Sequence, residues 1–216
     1  SLIEDYNKNE IDNISILSPK NIKDIKFKQR LIVEKVKMPR YFAIFFNQNQ
    51  SKILSDKNVR QALSFATDKD SIVSSVLNNN GTIINSPIAG IIPGIDPAPG
   101  TNEFNRTTAM ELLQKSGWIK TDGNEILTNK EEKLTLKLTT STWPELVEVA
   151  QKIKDQWKEV GIDLQIETLP TVDLQQVIRD RNYQMLLFGE ILSLDPDPFS
   201  LWHSSQKRDP GLNLSL

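Results

Sequence analysis

The chain has 216 residues, 38% hydrophobic and 25% charged, enough apolar material for the core of a globular domain. Its 26 basic and 28 acidic residues leave a net charge of −2, which excludes the basic footprint of a nucleic-acid binder. Cysteine is absent and histidine occurs once, so disulfides, thiolate nucleophiles and cysteine-ligated metals are excluded.

Residues 10–17 alternate polar and apolar, which predicts a short strand. Ser18-Pro19 opens a helix, with proline in the first turn. Residues 31–37 alternate again through Leu31 and Val33. Tyr41 to Asn47 is a strongly apolar strand, expected to be buried on both faces. Two helices follow, capped by Asp56 and Asp68, with Val59, Ala62, Leu63 and Ala66 striping the first and Ile72, Val73, Val76 and Leu77 the second. Asn78-Asn79-Asn80-Gly81 ends the second helix, and Gly81 is expected to take the left-handed conformation. Residues 81–104 carry Pro87, Pro93, Pro97 and Pro99 and form a long irregular loop. A helix over Thr107–Ser116 stops at Gly117, and Asp122-Gly123 is a hairpin-type turn.

The second half has the clearest periodicity. Leu134, Leu136 and Leu138 alternate in a strand, and Leu146, Val149, Ala150, Ile153, Trp157 and Val160 fall at helical spacing. Gly161 breaks that helix. Ile162, Leu164 and Ile166 mark a further strand, Leu174, Val177 and Ile178 a helix, and Tyr183–Gly189 a buried strand. The β-α-β-α-β order predicts an α/β unit with a mainly parallel sheet. Apolar runs such as Met185–Gly189 are strand length and far short of the roughly 20 residues that cross a bilayer.

Parallel sheets place ligands beyond the carboxyl ends of their strands. Three such exits stand out: Thr140-Ser141-Thr142-Trp143, Leu169-Pro170-Thr171, and Glu190 to Trp202. Together they can bring an aromatic ring, hydroxyls and carboxylates to one crevice. Each has a plain structural alternative. Trp143 can pack before the Pro144 helix start, and Asp195 and Asp197, each before a proline, are common turn formers. Trp157 and Trp118 are expected in the core or in local packing. His203 alone is no basis for a metal site. No phosphate-cradling glycine loop, His-Glu-x-x-His or Gly-x-Ser-x-Gly occurs, and a pair such as Asp195 and Asp197 is not a specific catalytic signal. No catalytic residue, cofactor or metal is therefore expected.

Several segments resemble the family 5 solute-binding proteins of bacterial ABC importers, the peptide/nickel type. Phe46-Asn47 followed by Asp56-Lys57-Asn58-Val59-Arg60-Gln61-Ala62-Leu63-Ser64-Phe65-Ala66-Thr67-Asp68-Lys69 is similar to that family's signature. Asn9-Glu10-Ile11-Asp12, Ala109 to Trp118, Gln151 to Ile166 and Asp195-Pro196-Asp197-Pro198-Phe199 resemble further family segments in the same order. The resemblance implies a periplasmic-binding-protein-like type II fold, a mainly parallel mixed sheet flanked by helices. It implies two lobes closing around a ligand, with residues 1–38 from the first lobe and 39–216 forming most of the second, truncated at its C-terminal end. Both chain ends then cut through elements of a longer protein, and residues 1–216 alone are expected to bind ligand weakly.

The implied function is capture of an oligopeptide or similar small solute for delivery to an ABC permease in the membrane. The implied protein is a monomer and not an enzyme. It is extracytoplasmic, lipid-anchored through a region outside this chain. Asn47, Trp143, Glu190, Ser193, Asp195 and Trp202 are the expected ligand-binding residues. One departure stands out: Glu190 replaces the family's tryptophan, and Leu192, Ser193 or Leu194 occupies the position of the aspartate that pairs with a peptide's amino group. A sensor or a glycan- or metal-chelate-binding protein of the same fold, and more remotely a carboxylate-dependent hydrolase, are the alternatives.

Overall fold

A computed structural model describes the chain except residues 16, 18, 27–30, 35–39, 87–102, 122, 192–198 and 209. The first helix, α1 (Leu2–Asn7), is closed by a reciprocal capping box between Ser1 and Glu4. A 3₁₀ turn over Pro19–Asp24 docks on it. The Asn7 side chain donates to the Asp24 carbonyl at 3.0 Å and accepts from the Lys26 amide at 2.9 Å.

The expected strand over 10–17 does not form at any described residue, and Leu31–Glu34 is also without regular structure. An alternating segment becomes a strand only beside a neighbour that accepts its ladder. Among the described residues, none lies beside either segment.

The centre is a four-stranded sheet in the order β1-β6-β4-β5, made of β1 (Arg40–Phe46), β4 (Thr135–Ser141), β5 (Asp163–Leu169) and β6 (Met185–Ile191). β4 runs parallel to both β5 and β6, and β1 pairs antiparallel with β6. The sheet is thus mixed and mainly parallel. β2 (Thr128–Asn129) and β3 (Glu132–Lys133) form a separate small hairpin, turned by Lys130 at φ 57°.

Period-2 alternation divides the side chains between two cores. Leu136, Leu138, Leu164, Met185 and Leu187 face the larger one. It also holds Leu54 from α2 (Lys52–Ser55), Leu63 from α3 (Lys57–Phe65), Val76 from α4 (Lys69–Leu77), Leu113 from α5 (Arg106–Lys115) and Trp157 from α6 (Pro144–Lys158). Tyr41, Phe45 and Leu186 face the other, with Leu174 of α7 (Thr171–Arg179), Tyr183 and Leu214. β6 is covered on both faces, which explains its unbroken apolar run. Trp157 is 1% exposed and its indole donates to the Thr67 hydroxyl at 2.9 Å, tying α6 to the end of α3. Trp118 is buried in the same core.

Helix starts follow the sequence. Asp56 accepts from the Asn58 amide and Asp68 from the Ser71 amide. The end of α4 does not: Asn78 and Asn79, at φ 47° and 58°, take the left-handed conformation, and Gly81 does not. Asparagine tolerates that region because its short amide bonds locally. Gly117 and Gly161, both at φ 84°, end α5 and α6 as expected. Residues 211–216 have no regular structure; Leu214 packs in the second core and Leu216 exchanges backbone hydrogen bonds with Phe46 and Gln48.

Candidate functional site

The crossovers decide where a crevice can open. From β4 the chain leaves through α6, on the face of the larger core. From β6 it continues towards α8 (Phe199–Trp202), whose Leu201 and Trp202 pack on the opposite core. The exits of β4 and β6, neighbours in the sheet, therefore diverge. An open α/β sheet binds its ligands at such a divergence. β1 is antiparallel, so its beginning, Arg40, lies at the same edge, opposite Ile191.

Two side-chain groups meet at this carboxyl edge, one on each face. On the α6 face, Trp143 caps α6 without a side-chain cap bond and stands 40% exposed, ahead of Pro144. Its ring meets Phe42, 37% exposed, edge to face at 5.9 Å. Phe42 lies on β1 and Trp143 follows β4, with β6 between the two strands, and Gly189 of β6 makes the meeting possible. Gly189 pairs with Phe42, and a Cβ there would sit 2.6 Å from the Phe42 ring. The Arg40 guanidinium lies over both rings, 4.8 Å from the Phe42 centroid and 5.0 Å from that of Trp143.

On the other face, Glu190 is paired with Tyr41 and is only 6% exposed. The Tyr41 hydroxyl donates to Glu190 Oε2 and accepts from Trp202 Nε1 at 3.1 Å. Glu190 Oε1 is buried with no hydrogen-bond partner among the described residues. Burial pushes the Glu190 carboxyl up to about 7, because a charge there has lost its water and gained one donor in return.

Of the six residues singled out by sequence, Trp143 and Glu190 lie at this edge, and Trp202, packed on Phe45 in the second core, joins Glu190 through the Tyr41 hydroxyl. Ser193 and Asp195 lie outside the described residues. Asn47 stands at the other end of β1, buried, where its side chain accepts from the Asn49 and Gln50 amides and donates to the Arg181 carbonyl. It lines an open cleft of about 860 Å³ with Arg181, Lys207 and Arg208. A further cavity of about 410 Å³ lies on the α7 side, where Glu167 accepts from Lys137 and Thr139. The Lys137 ammonium holds the Glu167 carboxyl below its ordinary value. His203 is exposed, accepts from the Ser205 amide and stacks on Phe199. No group of three or more metal-binding side chains occurs among the described residues.

Sequence reasoning missed Arg40, Tyr41 and Phe42. Their alternation was legible, but the register that sets Phe42 on Gly189 and Tyr41 on Glu190 was not.

A mixed, mainly parallel sheet flanked by helices is the architecture of the periplasmic-binding-protein-like class. The family model described as bacterial extracellular solute-binding proteins, family 5 Middle, matches residues 2–211, and the chain belongs to that family. It is 31% identical over 179 residues to the oligopeptide-binding protein AppA of Bacillus subtilis (strain 168), a match covering 80% of this chain and 32% of AppA. The structure of AppA in complex with a nonapeptide superposes on 99% of this chain and 43% of that one, with TM-score 0.83 and 26% identity. NikA from Brucella suis in complex with Fe(III)-EDTA shares the fold, with TM-score 0.79 and 21% identity over 98% of this chain and 43% of that one. The chain spans about a third of the length of the curated relatives it matches.

Proposed function

We propose that this chain supplies most of one lobe of a solute-binding protein, and that the carboxyl edge of its sheet is one wall of the ligand cleft. Residues 39–216 form that lobe and residues 1–38 belong to its partner lobe. Consistent with this division, both buried clusters draw only on residues from Tyr41 onward among the described residues. The solute is a peptide or a compound of similar size, and a hinge closes the lobes around it, shifting a pre-existing open–closed equilibrium. The protein works outside the cytoplasm, lipid-anchored, as a monomer that hands its solute to an ABC permease, and it catalyses no reaction.

The observation that carries this reading is the likeness of nearly the whole chain to AppA, together with the exposed aromatic residues Phe42 and Trp143 at the carboxyl edge of this sheet. Within the site, Trp143 offers a stacking face, Glu190 and Trp202 sit behind it, and Ser193 and Asp195 follow on the chain leaving β6. Asn47 holds the turn after β1 while the Tyr41–Glu190 end faces the solute.

The test is native mass spectrometry of the full-length protein purified from its own cells. The expected result is a bound peptide that is released on denaturation. Recovery of a sugar or metal chelate in its place would contradict the peptide assignment, and turnover of the bound compound would contradict a binding role.

A further inference from the structure

Arg40 is exposed, yet its guanidinium is held in place by two rings. Among the described residues, no carboxylate lies within ion-pairing distance of it, and no carbonyl accepts from its N–H groups. Glu190, next to its strand partner Ile191, points to the opposite face and is engaged by Tyr41. A guanidinium stacked on aromatic rings keeps its in-plane donors free, and those donors match a carboxylate in two-pronged geometry. Phe42 and Trp143 restrict the guanidinium's rotamers, so less freedom is lost when an anion docks. The same rings present apolar, planar surface beside the charge.

We propose that Arg40, stacked on Phe42 and Trp143 at the carboxyl edge, binds a carboxylate of the solute, so that the protein selects solutes carrying a carboxylate next to an apolar or planar group. This rests on the solute-binding reading above and adds the solute's chemistry to it. The carboxylate comes either from a peptide C-terminus or from an acidic side chain.

Calorimetry on the full-length protein separates the two sources with four synthetic probes. The first pair is a pentapeptide of four alanines ending in tryptophan, as the free acid and as the amide. The second pair is an amidated alanine pentapeptide with an internal Glu-Trp, and its Gln-Trp counterpart. Wild type is expected to bind the acid member of at least one pair about 10- to 100-fold more tightly than its neutral twin, the range of a charged hydrogen-bonded contact. Arg40→Gln, a change at an exposed side chain, is expected to abolish that preference, so that the acid member and its neutral twin bind within about twofold of each other. No preference in wild type, or a preference that survives Arg40→Gln, overturns the Arg40 assignment and leaves the solute-binding reading standing. Failure of all four probes to bind overturns this inference and the peptide reading together.

Discussion

Glu190 is a carboxyl group in a place that suits a neutral side chain. It is buried against Tyr41, and one oxygen has no donor among the described residues. Its affinity for a proton is raised from about 4.5 in the unfolded chain to about 7 in the folded one. Between those values the folded state binds more protons than the unfolded state, so stability falls as pH rises through the window. The stabilisation is fully present below about pH 4.5 and gone above about pH 7, a swing of up to about 3 kcal/mol at roughly 1.4 kcal/mol per pH unit. Glu190→Gln, neutral at every pH and able to accept from Tyr41, is expected to flatten this dependence and to be the more stable protein at pH 8. Urea denaturation of both proteins at pH 5 and pH 8 checks it. Equal pH slopes for wild type and variant would contradict the assignment.

At the scale of elements, α6 and β5 are joined by one glycine that no other residue replaces without strain. Gly161 sits at φ 84°, its carbonyl accepts from the Leu127 amide at 2.8 Å, and an added Cβ would lie 2.6 Å from Leu127 Cγ. Gly161→Ala combines a left-handed alanine with a buried clash and is expected to cost about 2–3 kcal/mol. The denaturation midpoint should fall at an unchanged urea slope; an unaltered midpoint would contradict it. This junction was readable in the sequence, because a helical run of apolar residues, a glycine and an alternating run each report a local rule. β4, α6, β5, α7 and β6 were legible for the same reason.

What was not legible depended on neighbours distant in the chain. The alternation at 10–17 needed a partner strand. The two-residue strands β2 and β3 are too short to show any period. The left-handed end of α4 went to Asn78 and Asn79 because asparagine competes with glycine there. The aromatic corner depended on Gly189 lying opposite Phe42, a register fact that links residues 147 positions apart. Glu190 and Trp143 could be nominated from strand ends, but their placement on opposite faces of the edge could not.

At the scale of the molecule, the sheet has two ends of different character. The carboxyl edge carries Arg40, Phe42, Trp143 and the covered Glu190. The other carries Asn47, Arg181, Lys207 and Arg208 around an open cleft. A lobe that closes on its solute should respond at the first edge and stay silent at the second. Hydrogen–deuterium exchange of the full-length protein, with and without the solute recovered from it, tests this most directly. The account predicts slowed exchange at residues 140–147 and 188–191, with no change at 47–50 and 204–208. Protection confined to 47–50 and 204–208, or absent from the carboxyl edge at saturating solute, would contradict it.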